Sequence, residues 1–266
     1  MIRDITIGQY VQGDSPLHKA DPRTKILLTF IMMIFIFMIN NYWGYLLLTI
    51  FTSITIISSN IPVKFVIKGL KPILFIVVFA GLINMFTIGG TPVFHVGIFK
   101  MTYEGIDVAI KMAIRLFLLI IIASLLTYTT TPMTLTDGIE KLLAPLNYFK
   151  VPVHEISMMM TIALRFIPTL LEETDKIIKA QSSRGADFDT GNLVQRAKSF
   201  IPVLIPLFIS AFRRADELAT AMEARCYRGS EGRTRMKQLS FTKYDVIISS
   251  VTVVFMAMVL MLQYMV

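Results

Sequence analysis

The chain has few of the residues from which soluble enzymes build their sites. It contains one cysteine, Cys226, so no intrachain disulfide can form. Its three histidines, His18, His95 and His154, are far apart, and no second histidine follows at the spacing of a zinc-protease helix. A Gly-rich phosphate-binding loop ending in Gly-Lys-Ser/Thr is also absent. We therefore expect no catalytic residue, no metal site and no cofactor on this chain.

Charge is scarce as well, and it is mostly positive. Charged residues make up 17% of the sequence, against about 25% in soluble domains. Hydrophobic residues make up 55%, and the mean hydropathy is +0.66. A net charge of +8 on such a chain indicates Lys and Arg gathered on the cytoplasmic side of a membrane. We expect a lipid bilayer, and no nucleic acid, as its surroundings.

The hydrophobic residues are concentrated in long runs, which predict an all-α, polytopic membrane protein with five or more membrane helices. The runs are Ile26–Ile39, Tyr42–Ile57, Pro72–Ile88, Leu116–Leu126 and Val246–Val266. Ser58–Lys71, with three lysines, is predicted to be a loop. Gly89–Tyr103 is irregular and suits a short hairpin. Between 131 and 243 apolar residues recur at helical spacing, which predicts long amphipathic helices.

This pattern divides the chain into three parts. Residues 1–130 form an N-terminal membrane region, 131–243 an amphipathic helical region, and 244–266 a C-terminal membrane helix. Four cations precede the first apolar run, and the positive-inside rule therefore predicts a cytoplasmic N-terminus. These cations are Arg3, Lys19, Arg23 and Lys25. The same rule places 131–243 on the cytoplasmic side.

Charges inside a membrane helix raise the alternative of a self-sufficient transporter or channel. Asp107, Lys111 and Arg115 share one helix face at i, i+4 and i+8. They also lie near the end of their helix, where long side chains reach the interface, so we favour a structural role. The clean runs Ile26–Ile39 and Val246–Val266 contain no polar cluster for a substrate path. No converging His, Asp, Glu or Ser set supports an intramembrane enzyme either.

The amphipathic region contains a partial internal repeat. Thr174–Gly185 aligns without gaps on Ala215–Cys226, and the alignment pairs Arg184 with Arg225. Gly185 and Gly229 suit helix C-terminal stops. Each helix would then end in carbonyl groups beside a guanidinium fork that recognises carboxylates or carbonyls of a partner. A cation favoured by the helix dipole explains either arginine alone, but a matched pair suits a partner with two equivalent sockets.

Several motifs make this sequence similar to a known family. Ser15–Lys25 (SPLHKADPRTK) resembles its opening signature, and Ala163–Pro168 (ALRFIP) resembles the start of its coupling region. Ser183-Arg184-Gly185 and Ala224-Arg225-Cys226 resemble its two X-Arg-X coupling motifs, often Ala-Arg-Gly, with departures at Ser183 and Cys226. The chain thus resembles the transmembrane coupling component (T component) of energy-coupling factor (ECF) transporters over nearly its whole length.

The resemblance implies a mechanical function in a prokaryotic cell membrane. Such a protein joins two ABC-type ATPases, a homo- or heterodimer, to a small substrate-binding membrane subunit (S subunit), one or several interchangeable. ATP and Mg would be bound and hydrolysed by the ATPases, driving uptake of vitamins or transition-metal ions. The X-Arg-X motifs would dock on the ATPases. Met158, Met159 and Met160 either fill a core or form an adaptable S-subunit contact.

Overall fold

A computed structural model describes residues 10–96, 99–188, 190, 192–229 and 238–265, and within these the protein is helical apart from one hairpin. Arg3 and Val266, named above, lie outside the described residues. The elements in chain order are α1 (Pro16–Lys19), α2 (Pro22–Met38), α3 (Tyr42–Ser58), α4 (Val63–Thr87), β1 (Pro92–Val96), β2 (Phe99–Thr102), α5 (Tyr103–Thr129), α6 (Pro132–Leu143), a 3-10 helix (Ala144–Phe149), α7 (Val153–Ser183), α8 (Leu193–Ser199), α9 (Ile201–Ala224) and α10 (Lys243–Met265). The all-α prediction is confirmed, and the antiparallel β1–β2 pair supplies the expected short hairpin.

The described part of the chain divides into two compact units. One unit, the bundle unit, combines Gly8–Ile139 with Leu239–Val266, and the other, the lever unit, is mainly Glu140–Gln238. In the bundle unit, α2, α3, α5 and α10 share one apolar core. Its most buried members are Ile36, Ile39, Leu48 and Val259. In a bilayer such side chains contribute mainly through van der Waals packing, because lipid tails are as apolar as they are.

Four of these helices are long and apolar enough to cross a membrane among the described residues. They are Val63–Thr87, Tyr103–Thr129, Val194–Ala224 and Lys243–Gln263. The chain is therefore a multi-pass membrane protein. The helices α2 and α3 have 17 residues each and are not among these four. The sequence predicted five or more membrane helices. Val194–Ala224, assigned from sequence to the amphipathic region, also has the length and composition of a span.

The predicted loop Ser58–Lys71 is wrong for most of its length. α4 begins at Val63 and contains Pro72 inside the helix. The proline removes one backbone donor, yet a helix of 25 residues keeps enough other hydrogen bonds to continue through it. Lys64, Lys68 and Lys71 are exposed and recur at i, i+4 and i+7, the spacing of one helix face. The apolar run Pro72–Ile88 is therefore the continuation of a helix that begins at Val63.

The N-terminal signature folds into a hydrogen-bonded clasp around α1. The His18 ring donates from Nε2 to the Val11 carbonyl at 2.9 Å, and its Nδ1 lies 2.7 Å from the Ser15 hydroxyl. The Lys25 ammonium donates to the carbonyls of His18 and Thr129 at 3.2 and 3.0 Å. These bonds tie the chain ahead of α2 to the end of α5.

The same clasp reaches α10 through a buried carboxylate. Asp245 Oδ1 accepts the Asp21 backbone N–H at 2.7 Å, and Oδ2 accepts the N–H and hydroxyl of Thr242 at 2.6 and 2.8 Å. Asp21 in turn accepts two bonds from the Arg23 guanidinium, which raise the pKa of Arg23. Arg23 also donates to the Leu239 carbonyl. The signature therefore joins α1, α2, α5 and α10 at one end of the bundle.

The charged face of α5 has a structural role, as the sequence favoured. Asp107 and Lys111 form an ion pair at 2.7 Å. Arg115 Nη2 donates to the Ile39 carbonyl at 3.1 Å and to the Tyr45 hydroxyl at 2.8 Å. These contacts hold the turn between α2 and α3 against α5, so the three side chains are occupied by local partners.

Candidate functional site

The two arginine motifs end the two longest helices of the lever unit, and these helices pack antiparallel. Near the end of α7, Gln181 Nε2 donates to the Pro202 carbonyl at the start of α9, at 3.5 Å. Farther along, the Arg214 guanidinium of α9 pairs with Glu173 of α7 at 2.9 Å. Arg184 therefore lies beside the start of α9, at one end of the pair. Arg225 lies at the other end, beside the start of α7.

The end of α7 is a Schellman motif with Arg184 as the C-cap. The Gly185 N–H donates to the Ser182 carbonyl, and the Ala186 N–H donates to the Gln181 carbonyl, both at 3.0 Å. Gly185 has φ +87°, and a Cβ added there would meet no atom within 4 Å. Glycine is thus required for its backbone conformation and not for space.

The end of α9 repeats this geometry around Arg225. The Cys226 N–H donates to the Glu223 carbonyl at 2.9 Å, and the Tyr227 N–H donates to the Met222 carbonyl at 3.0 Å. Arg225 has φ −94° and ψ 14°, close to the −92° and 10° of Arg184. The sequence repeat therefore corresponds to two superimposable helix ends.

One predicted stop is wrong. Gly229 has φ +86° but lies three residues beyond the left-handed residue that ends α9. That residue is Cys226, with φ +58°. A side chain in this region costs about 1 kcal/mol relative to glycine, because Cβ crowds the following carbonyl. The Schellman hydrogen bonds and not the residue type end this helix.

Substituting Cys226→Gly is expected to stabilise the end of α9 by about 1 kcal/mol. Amide hydrogen exchange at Cys226 and Tyr227 should then slow by roughly fivefold. The matched change Gly185→Ala should speed exchange at Gly185 and Ala186 by a similar factor, since its φ is equally left-handed. Equal exchange in wild type and both variants would show that the left-handed residue does not limit either helix end.

The motif residues are exposed to solvent within the lever unit. Ser183, Arg184, Gly185, Ala224, Arg225 and Cys226 are all exposed. Ser183 donates its hydroxyl to the Lys179 carbonyl at 3.0 Å, so this hydroxyl is used within its own helix. Each end therefore offers a guanidinium group, which can donate hydrogen bonds to carboxylate or carbonyl oxygens of a partner, next to helix carbonyls that can only accept them.

One of the three methionines predicted as a separate contact, Met158, lies close to Arg225 at the end of α9. A groove of about 800 Å³ between α7 and α9 is lined by Met158 together with Met222, Arg225 and Cys226. Met159 and Met160 are exposed and do not line this groove. The structure thus brings Met158 and the second arginine motif together, while Arg184 lies at the opposite end of the helix pair.

Two arginines in this groove were given no role by sequence reasoning. Arg165 and Arg228 line the groove alongside Arg225, together with apolar side chains that include Phe166 and Leu218. Arg165 falls seven residues after Met158, and this i, i+7 spacing was a sequence signal that the two share a face. The Glu173–Arg214 tie between the helices was also missed, because no pattern within one helix identifies a partner on another.

Comparison with known proteins supports the resemblance to the transmembrane component of ECF transporters. A family model described as cobalt transport protein, CbiQ, matches residues 13–236. The chain is 80% identical over 264 residues to the energy-coupling factor transporter transmembrane protein EcfT of Ruminiclostridium cellulolyticum, covering 99% of both chains. It is 56% identical to EcfT of Clostridium kluyveri, over 94% of this chain and 93% of the relative. For EcfT of Bacillus subtilis the identity is 48%, over 92% and 93%. The chain belongs to the family of energy-coupling factor transporter transmembrane proteins.

Proposed function

We propose that this chain is the scaffold and coupling subunit of an ECF-type ABC importer. It would transmit conformational changes of two ABC-type ATPases, a homo- or heterodimer, to a membrane-embedded S subunit. The imported substrate is a vitamin or a transition-metal ion held by the S subunit. ATP and Mg belong to the ATPases, and this chain contributes no catalytic residue or cofactor.

One observation carries this proposal: two superimposable helix ends, each with an arginine at the C-cap, lie at opposite ends of one antiparallel helix pair. α7 has 31 residues and would extend about 46 Å. Two equal cationic tips at such a separation suit one socket on each of two ATPases better than two sites on one. The docking residues would be Ser183–Gly185 and Ala224–Cys226.

The S subunit would contact the same lever unit through softer surfaces. Met159 and Met160 are 59% and 41% exposed, and unbranched thioether side chains adapt to differently shaped partners. Such a surface is compatible with several interchangeable S subunits. Met158 is assigned differently: it shares the groove with Arg225, so a partner docked at that tip would cover it.

The cell membrane of a prokaryote is the proposed location, with the N-terminus in the cytoplasm. This orientation rests on Lys19, Arg23 and Lys25 ahead of the apolar run of α2. The same rule assigns 131–243, and with it both arginine motifs, to the cytoplasmic side where ATP is available, so Val194–Ala224 would not cross the membrane in this arrangement. A self-sufficient transporter would instead need helices broken near mid-membrane, whereas α5 and α10 are continuous over 27 and 23 residues.

Affinity purification of the tagged chain from its native membrane tests the proposal. We expect two ABC-type ATPase chains and at least one small hydrophobic protein to co-purify, in a ratio of two ATPases to one tagged chain. The small proteins would identify the substrate class through their own ligand binding. A chain that purifies alone, while folded and active in uptake, would replace this proposal with a secondary transporter.

A further inference from the structure

The bundle unit contains a cleft of about 310 Å³ that none of the preceding roles uses. Its walls come from α1, α2, α3, α5 and the first half of α10. The lining is almost entirely hydrocarbon, and the residues on which the argument depends are Leu17, Lys25, Thr55, Ile122, Ile247 and Val251. We propose that this cleft binds one acyl chain of an anionic glycerophospholipid.

The cleft opens sideways between α3 and α10. The two helices are in contact at Phe51 and Phe255, whose rings stack with centroids 4.2 Å apart. Beyond this stack, toward the end of α3 and the start of α10, the lining residues Ile54, Ile247 and Val251 are 57%, 57% and 54% exposed. Exposed aliphatic side chains on a membrane bundle face lipid, so the opening is accessible from the bilayer.

Most polar side chains of the lining already make hydrogen bonds within the protein and do not favour a polar ligand. Thr52, Thr55, Thr129 and Thr252 each donate a hydroxyl to a carbonyl of their own helix. The Lys25 ammonium donates to two carbonyls and to the Thr130 hydroxyl, which uses its three protons. What remains open to a ligand is mainly hydrocarbon, with the hydroxyls of Thr29 and Ser58.

An apolar cleft of this size is unfavourable when empty. Protein interiors are close-packed, and side chains that line a void lose dispersion contacts on that side. Water does not compensate, because an apolar cavity offers it too few hydrogen-bond partners and stays dry. In a bilayer, the hydrocarbon that can enter through a lateral opening is an acyl chain.

The position of one cation selects an anionic lipid. Lys243, Ile247 and Val251 recur at i, i+4 and i+8 in α10, so they lie on one face, and the last two form the rim of the cleft. Lys243 is exposed at the first position of α10, where the helix leaves the apolar region. An acyl chain seated against Ile247 and Val251 would place its phosphate within reach of this ammonium.

Native mass spectrometry of the full-length chain, purified in mild detergent, tests this. Wild type should retain one phospholipid, enriched in phosphatidylglycerol over zwitterionic lipid. Thr55→Trp, which fills the cleft, should retain roughly tenfold less. The control Thr49→Trp lies on the same helix and replaces a threonine that makes the same kind of bond at the same 2.8 Å, but outside the cleft. It should bind as wild type does. Lys243→Gln should keep the lipid and lose the anionic preference.

A second measurement does not depend on a filled cleft folding correctly. In a Trp43→Phe background, the single tryptophan of Ile54→Trp reports on the rim, and that of Ile50→Trp reports on exposed α3 outside the cleft. Brominated-chain phosphatidylglycerol in phosphatidylcholine vesicles should quench the first at low mole fraction with saturation. The second should be quenched in proportion to mole fraction. Coincident curves, equal lipid retention by Thr55→Trp and Thr49→Trp, or a bound polypeptide in place of lipid would overturn the proposal.

Discussion

Arg184→Ala and Arg225→Ala are each expected to weaken ATPase docking by about 30-fold or more and to lower uptake accordingly. Each guanidinium stands at the C-cap of a helix and would be desolvated in a socket. Truncation therefore removes charged hydrogen bonds and leaves the partner's carboxylates without a counter-charge. Arg→Lys at either position should restore charge but not the planar fork, and should recover only part of the loss.

The geometry also predicts how the two changes combine. Because the tips lie at opposite ends of the helix pair, they share no partner, and their effects on docking free energy should add. The affinity loss of the double variant should equal the product of the single losses, measured by ATPase co-purification and by transport-coupled ATP hydrolysis in vesicles. Arg213→Ala is the control, since it removes an exposed arginine from the middle of α9. Wild-type uptake by both single variants would refute docking through these residues.

Asp245→Ala is expected to destabilise the bundle unit by about 3 to 5 kcal/mol. Asp245 is 3% exposed, and its carboxylate accepts three hydrogen bonds, one from the chain ahead of α2 and two from Thr242 at the start of α10. Its removal leaves the buried Asp21 N–H and the Thr242 N–H without this acceptor. Asp245→Asn keeps one acceptor oxygen and should cost less.

Thermal unfolding of the purified chain in detergent provides the measurement. The midpoint for Asp245→Ala should fall by about 10 °C. Asp216→Ala, an exposed aspartate on α9, should leave the midpoint unchanged and serves as the control. A midpoint for Asp245→Ala equal to that of wild type would show that the clasp does not limit stability.

The sequence predicted features that depend on local periodicity and missed those that depend on distant partners. The α2–α3 turn and the repeat around Arg184 and Arg225 were visible in the pattern. The C-terminal membrane helix was predicted to start at 244, one residue after the first residue of α10, and the cap spacing of Thr242 and Asp245 was not used. The contact of Asp245 with Asp21 spans 224 residues, and no local pattern encodes it.

Pro72 and Cys226 illustrate a second limit of sequence reading. A proline predicts a helix start and a glycine predicts a helix stop, yet α4 continues through Pro72 and α9 ends at a cysteine. In both cases hydrogen bonds along a long helix outweigh a preference of about 1 to 3 kcal/mol at one residue. The antiparallel arrangement of α7 and α9 was not predicted either, because an internal repeat shows that two segments are similar but not how their helices are oriented in space.

That arrangement determines how the distance between the two arginine motifs can vary. Each tip belongs to a different helix, so the distance between Arg184 and Arg225 is set by the register of α7 against α9. A single helix has a fixed length, whereas two antiparallel helices can slide along each other and so change the distance between their ends. Sliding by one helical turn would change the tip separation by about 5.4 Å. The Glu173–Arg214 ion pair, which lies between the two ends, would hold α7 and α9 in one register.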